Sequence, residues 1–127
     1  MKCIVDISVQ HSERMRPGNG IAVIEISAEV NGETRVSGPH TVEVTGETAN
    51  TLAVRAVAEA LKRFRKPGQE ILIRMDHPYV MANWQYLERW QNDGYRGRNG
   101  KPVRNEQEWR LLWMASRSHS ISFEVPE

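Results

Sequence analysis

Apolar and polar residues alternate in two stretches near the start of the chain. In residues 2–9 the residues that share one side are Cys3, Val5, Ile7 and Val9. In residues 20–30 they are Ala22, Ile24, Ile26, Ala28 and Val30. A period of two is typical of a strand with one buried face. Asn31-Gly32 favours a tight hairpin turn after the second strand. The pattern therefore predicts a third, antiparallel strand over residues 33–45.

A helical period replaces the alternation in the middle of the chain. Within residues 49–66 the positions that recur at three- and four-residue spacing are Val54, Val57, Leu61 and Phe64, with Ala53, Ala56 and Ala60 beside them. This spacing predicts a helix packed on the sheet that ends before Pro67-Gly68. Residues 70–75 then form an apolar-looking run, which is typical of a central and parallel strand.

Three more elements are predicted after residue 75. A helix over residues 78–91 begins with Pro78, which suits a first helical turn. A second helix over 106–116 follows Asn105, and Glu108 stands where a capping-box partner of that residue is expected. Alternation over 119–125 predicts the last strand. The order β-β-β-α-β-α-α-β predicts one α/β domain over residues 1–127, with a mixed sheet of three antiparallel strands and then two parallel ones.

Composition narrows the class of protein. The chain has 127 residues, a net charge of +1 and one cysteine, Cys3. No apolar run approaches the roughly 20 residues that span a bilayer, so no membrane partner is expected. A lone cysteine fits a reducing compartment, which predicts a cytoplasmic protein. Two local basic clusters stand out against the low net charge, one over residues 96–104 and one over 62–66.

Two aspartates lie in strands that are predicted to be neighbours. Asp76 ends the apolar run of residues 70–75, and Asp6 lies in the first strand. Adjacent strands lie about 4.8 Å apart, so these carboxylates are expected to approach each other if the two strands pair. Carboxylates held close repel unless a proton or cation lies between them. Mg²⁺ or Mn²⁺ is the cation that oxygen ligands of this kind favour.

Three strings of this sequence resemble type 1 ribonuclease H, the enzyme that cuts the RNA strand of RNA/DNA hybrids. They are "LIRMDHPYV", "RWQNDGYRGRNGKPVRNEQEW" and "HSISFEV". The resemblance implies the ribonuclease H-like fold and a basic protrusion that contacts nucleic acid. It also implies catalysis by two divalent ions held by four carboxylates, which clamp the scissile phosphate and activate water.

The resemblance also implies that the carboxylate set is incomplete. Asp6 and Asp76 match the first and third carboxylates, which leaves a weak metal site for one ion at most. Ala53 occupies the position of the second, and the chain ends before the fourth and before the C-terminal helix that carries it. Glu47, His77 and Glu124 are considered as substitutes, but surface solvation is the expected role of an isolated charged residue.

The same resemblance assigns a set of contacts to nucleic acid. The residues are Thr48, Asn50, Trp84, Tyr95, Arg96, Arg98, Lys101 and Arg104. For the tryptophans a role in the core is the alternative, and it is the favoured one for Trp109 and Trp113.

Three functions remain open from the sequence. The favoured one is binding of an RNA/DNA hybrid or duplex RNA with lost or strongly reduced hydrolysis. The second is an active nuclease with a rearranged or partner-completed site. The third is a scaffold that forms a homodimer, which the uncovered face of the last strand would favour.

Overall fold

The alternating segments form one five-stranded sheet. In the computed structural model, which describes residues 2–126, the strands are β1 (Lys2–His11), β2 (Gly18–Val30), β3 (Glu33–Glu47), β4 (Glu70–Met75) and β5 (Ser120–Glu124). Their order across the sheet is β3-β2-β1-β4-β5. The first three strands are antiparallel to one another, whereas β4 lies parallel to both β1 and β5. The predicted mixed sheet is confirmed, with β4 at the predicted residues.

The helices differ from the prediction in two places. They are α1 (Ala49–Leu61), α2 (Tyr79–Asn83), α3 (Leu87–Asn92) and α4 (Glu106–Ser116). α1 ends earlier than predicted because the Arg63 and Phe64 amides donate to the carbonyls three residues back and tighten the chain into a turn. The single helix predicted over 78–91 is instead α2, a 3₁₀ turn at Trp84–Tyr86 and α3. Among residues 2–126 no helix has the length and apolar character that crossing a membrane requires.

Strand parity separates a buried face of the sheet from an open one. Val5, Ile24 and Ile73 are fully buried on the face that α1 covers. α1 itself buries nearly every residue between Thr51 and Leu61, including Ala53, and packs on its other side against α4. Residues of the opposite parity on β2, β1, β4 and β5 point away from α1. The polar side chains discussed below lie on that open face or at the end of the sheet where α1 begins.

The start of α4 is held by a different contact from the one predicted. Asn105 occupies the N-cap position, but its backbone is left-handed (φ 59°) and its side chain makes no capping bond. Its amide oxygen instead accepts a hydrogen bond from the Thr51 hydroxyl at 2.6 Å, and Glu108 pairs with Arg55 at 3.1 Å. The predicted capping box is therefore wrong, because both of its members bind α1 and tie the two helices together.

Candidate carboxylate site and nucleic-acid interface

Strand register places a row of charged residues across the open face. Asp6 on β1 lies opposite Glu25 on β2 and opposite Arg74 on β4. Arg74 in turn lies opposite Glu124 on β5. From β2 to β5 the row therefore consists of two acids, Glu25 and Asp6, then the base Arg74 and then the acid Glu124. The partner that the sheet gives to Asp6 is a guanidinium from β4, the strand that Asp76 directly follows.

Arg74 binds both oxygens of Asp6. Its Nε donates to Asp6 Oδ1 at 2.7 Å and its Nη2 donates to Oδ2 at 3.0 Å, so the pair has the bidentate geometry of a strong charge-assisted contact. The hydrogen bond to Asp6, with its negative charge and that of Glu124, raises the pKa of Arg74 above its usual range. Both side chains are about two-fifths exposed, so water screens the pair and it contributes little to stability.

Asp76 and Asp6 line one shallow cleft on the open face, which we call the carboxylate cleft, but Asp76 is held by other groups. Its Oδ1 accepts a hydrogen bond from the Val9 amide at 3.1 Å, and its Oδ2 lies 3.5 Å from the Ser8 hydroxyl. Asp6 and Asp76 both line this cleft, together with Glu25 and Arg74. Burial lowers the pKa of the neighbouring His77, an effect that the Asp76 charge opposes. The two aspartates thus share a cleft, and each has partners of its own.

The donor groups in this cleft do not fit a two-ion centre. Among residues 2–126 no three His, Cys, Asp or Glu side chains come together with the spacing of a metal site. Ala53 is fully buried in α1 and offers no oxygen. Glu47 lines a different cleft, described next, and Glu124 lies beside Arg74. Neither joins Asp6 and Asp76 in a three-ligand group.

A second cleft lies at the N-terminus of α1. It has a volume of about 480 Å³ and is lined by Arg14, Met15, Glu47, Thr48, Ala49, Asn50, Thr51, Arg104 and Asn105. Thr48 caps the helix by accepting from the Thr51 amide at 3.2 Å. The start of a 13-residue helix carries partial positive charge and attracts anions. We call this the α1 cleft; it brings together three predicted contacts, Thr48, Asn50 and Arg104, and adds Arg14.

Hydrogen bonds hold both basic walls of the α1 cleft to its floor. On the Arg14 side, His11 Nε2 lies 2.7 Å from the Glu47 carbonyl, and the Ser12 amide donates to the Asn19 carbonyl at 2.8 Å. On the Arg104 side, the Thr51–Asn105 contact joins α1 to the segment that leads into α4. Arg104 is therefore carried by a segment fixed to the first turn of α1, and Arg14 by a loop fixed to the end of β3.

The basic protrusion, residues 95–104, is a short loop closed by backbone hydrogen bonds. The Val103 amide donates to the Tyr95 carbonyl at 2.9 Å, and the Gly97 amide donates to the Lys101 carbonyl at 2.8 Å. The exposed cations of the loop are Arg96, Arg98, Lys101 and Arg104. Of the eight predicted contacts, these four therefore present their charges to solvent on one small loop.

The two predicted aromatic contacts are placed differently by the structure. Tyr95 has no exposed surface, its hydroxyl donates to Gln91 at 3.0 Å, and the Arg110 guanidinium lies 4.3 Å from its ring centroid. A contact between the Tyr95 ring and a sugar is incompatible with that burial, and burial also raises the pKa of Tyr95. Trp84 is half-buried edge-on against Phe123, with ring centroids 5.2 Å apart, and does not line the α1 cleft.

Other aromatic residues lie where the sequence placed them. Trp109 is fully buried, and Trp113 packs partly buried against the same core, which confirms the core role favoured for both. Sequence reasoning missed Arg14 and Arg74. The signal for the first is the Arg14-Met15-Arg16 triplet in the turn after β1, where Met15 is 90% exposed. The signal for the second is a lone cation in a strand that otherwise reads as apolar.

Known proteins similar to this chain include several ribonucleases H. The RNase H family profile matches residues 6–125. A ribonuclease H of Actinobacillus succinogenes is 35% identical over 75 residues, which are 58% of this chain and 48% of that protein. A ribonuclease H of Syntrophomonas wolfei is 30% identical over 99 residues, covering 73% of this chain and 68% of that protein. The chain thus spans about half to two thirds of the length of these relatives.

Solved structures with the same fold extend the comparison. LC9-RNase H1, a type 1 RNase H with the type 2 active-site motif, superposes with a TM-score of 0.79 at 18% identity over 99% of this chain and 63% of that one. A foamy viral protease-reverse transcriptase in complex with RNA/DNA hybrid gives 0.70 at 18% identity, over 98% of this chain and 17% of that one. Since the family profile covers nearly all of residues 2–126, the chain belongs to the RNase H family.

Proposed function

We propose that this chain is a ribonuclease H-like domain that binds an RNA/DNA hybrid or duplex RNA and has lost, or nearly lost, its hydrolysis. The observation that carries the second part is the Asp6–Arg74 pair. A guanidinium engages both carboxylate oxygens at 2.7 and 3.0 Å. The family is generally dependent on divalent metal ions. In this chain the Arg74 guanidinium balances the charge of Asp6, the first carboxylate that would bind those ions.

Binding is supported by the two basic surfaces at one end of the fold. In the α1 cleft, Arg14 and Arg104 flank a helix N-terminus, an arrangement that suits a phosphate. The protrusion adds Arg96, Arg98 and Lys101 as exposed charges. Contacts of this type release counterions from nucleic acid and give affinity without sequence preference. The similar fold of a foamy viral enzyme in complex with RNA/DNA hybrid is consistent with this ligand.

Loss of hydrolysis is supported by the charge balance of the carboxylate cleft. Two-ion catalysis needs oxygen ligands that hold both ions beside the scissile phosphate. Asp6 is engaged by Arg74, and Ala53 brings no oxygen to the site. The row contains three acids and one cation, Arg74. A phosphate is therefore repelled there unless an added cation neutralises the excess negative charge. Removing ligands from a catalytic unit removes most of its rate.

An active nuclease is the second candidate, and one observation favours it. Asp6 and Asp76 do share a cleft, and a metal-bound phosphate or a carboxylate from a partner chain would supply the missing ligands. In that arrangement Mg²⁺ or Mn²⁺ would have to displace Arg74 from Asp6. Because the relatives are named ribonuclease H, any test of this chain must measure hydrolysis directly.

A paired binding and cleavage assay on one labelled hybrid tests the proposal. We expect a gel shift that weakens steeply with salt and no RNA cleavage in either Mg²⁺ or Mn²⁺, with the Actinobacillus succinogenes ribonuclease H as the positive control. Absence of a shift at low salt would contradict binding. Cleavage by the wild-type chain that disappears in Asp76→Asn would contradict lost hydrolysis and establish the second candidate.

Removing the Arg74 guanidinium is expected to create affinity for a divalent ion. In Arg74→Met the apolar stem stays and Asp6 loses its counter-charge, so Mn²⁺ should bind about tenfold more tightly than to the wild type, the order expected from one nearby unit charge. Paramagnetic broadening of amide resonances around Asp6 measures this binding. Arg117→Met, which removes an equal charge at the end of α4, is the control. Equal Mn²⁺ affinity in all three proteins would show that Arg74 does not compete for the site.

A further inference from the structure

β5 is the last strand in the order of the sheet and pairs with β4. The Ser120 amide donates to the Gln69 carbonyl at 2.9 Å, on the β4 side. Because every second residue of a strand bonds to the same neighbour in a parallel pair, the even-numbered residues of β5 direct their backbone groups toward β4. The N–H and C=O groups of Ile121 and Phe123 therefore point outward from the sheet. In the part of the chain that the structure describes, no other strand meets them.

The two edges of the sheet differ in their protection against further pairing. β3, the opposite edge, contains Pro39, which has no N–H, and its pairing with β2 shifts register between Ser37 and His40. Charged residues, prolines and bulges are the devices that keep an edge strand from pairing with another chain. Residues 120–123 of β5 include neither a charged residue nor a proline. The β5 edge therefore remains available to an additional strand.

Apolar surface lies beside the β5 edge. Ile121 and Phe123 point to the side of the sheet that the helices cover, and each is only partly buried. Trp84, which does not line the α1 cleft, packs edge-on against Phe123 and is partly buried as well. Val125, directly after the strand, leaves 57% of its surface exposed. Since burial of apolar surface drives association, this edge favours a strand that carries apolar side chains on the same face.

A second copy of β5 has that pattern and fits the edge in an antiparallel arrangement. When a two-fold axis passes through the midpoint of the strand at Ser122, each Ile121 lies opposite Phe123 of the other copy. These are the residues with outward backbone groups, so each of the two pairs exchanges both N–H···O bonds. Glu124 lies opposite Ser120, and the two copies of Glu124 are about 13 Å apart at roughly 3.3 Å per residue. No like charges therefore face each other across the axis.

We propose that this chain forms a weak homodimer in which β5 pairs antiparallel with β5 of a second copy and joins the two sheets into one. The strand is about 16 Å long, so the buried area falls below the roughly 1,200 Å² of stable complexes. A Kd on the order of 100 µM is therefore expected. The edge shares no residue with the α1 cleft, and the inference does not depend on the proposed function.

Sedimentation equilibrium of the full chain from about 10 to 500 µM tests the proposal, because this range brackets the expected Kd. We expect a dimer in the wild type and at least tenfold weaker association in Ser122→Lys and in Ser122→Glu. Each variant places two like charges opposite each other, on Cα atoms about 4.5 Å apart. An equimolar mixture of the two variants should associate at least as tightly as the wild type. Ser122 is exposed, so both variants should fold, which circular dichroism checks.

Ser120→Lys is the matched control, since it makes the same exchange on the same face of β5. Ser120 is exposed and lies opposite Glu124 of the other copy, so this variant should associate as tightly as the wild type or more tightly. The proposal is overturned if the wild type stays monomeric over the whole range or if Ser122→Lys associates as the wild type does. It is also overturned if the mixed variants associate no better than each alone, or if Ser120→Lys loses as much affinity as Ser122→Lys.

Discussion

Replacing Arg14 and Arg104 together with glutamate is expected to weaken binding of an RNA/DNA hybrid by about a hundredfold at low salt, or about 2.7 kcal/mol. Both side chains line the α1 cleft, so the variant turns two attractive contacts with phosphate into repulsive ones. The slope of log affinity against log salt should fall by about 2, since each phosphate contact contributes about one unit. Filter binding across a salt series measures both quantities.

A second double variant separates the cleft from total charge. Lys2→Glu with Arg117→Glu changes the net charge from +1 to −3, as the cleft variant does, because each exchange removes two units. Lys2 begins β1, and Arg117 follows α4, which runs about 16 Å away from Asn105 over its 11 residues. Equal losses in the two double variants would attribute binding to global charge and remove the α1 cleft from the proposal.

The sequence predicted the first and last residues of two elements correctly, because their local sequence patterns agree with their packing. β4 spans residues 70–75 and α4 spans 106–116, as the sequence indicated. In β4 the side chains Ile71, Ile73 and Met75 are buried along a strand with a neighbour on each side, which is the central position that the apolar run predicted. In α4 the helical period of Trp109 and Leu112 matches the face that meets α1.

Tertiary contacts account for the features that the sequence did not predict. The Asn105 side chain has the chemistry of a cap, yet the Thr51 hydroxyl on a different helix binds it at 2.6 Å. Tyr95 follows a glycine in a polar loop, which suggests exposure, yet its positive φ of 61° accompanies a ring buried under Arg110. The local sequence pattern carries no information about which side chain each of these residues contacts, because the contacting residues lie far apart in the chain.

The Asp6–Arg74 pair shows the same limit at the candidate site. The sequence places Asp6 and Asp76 on neighbouring strands, and it matches both to carboxylates of the family. Which residue faces Asp6 depends on the register of β1 against β4, and that register gives Arg74. A shift of one residue would move every side chain of β4 to the other face. The charge that balances Asp6 therefore became visible only when the strands were paired.

The largest effect on stability is expected from Trp109→Ala. Trp109 is fully buried between Tyr79 and Trp90, with ring centroids 5.8 and 5.3 Å away. Removing so large a side chain leaves a cavity and should lower the free energy of unfolding by about 3–5 kcal/mol. Urea denaturation with an unchanged m-value measures the loss. Trp109→Phe keeps most of the side-chain volume and should lose less stability. It is the variant to measure if Trp109→Ala does not fold.

The same residue links stability to the α1 cleft. Trp109 anchors α4, and the first residues of α4 follow Asn105, whose bond to Thr51 positions the Arg104 side of the cleft. Trp109→Phe should therefore weaken hybrid binding at temperatures where the domain is still folded. Met114→Ala, on the exposed side of α4 (69% exposed), should change neither stability beyond about 0.5 kcal/mol nor binding. A Trp109→Phe variant that loses stability but binds hybrid like the wild type would show that the cleft is positioned by α1 and the Arg14 loop alone.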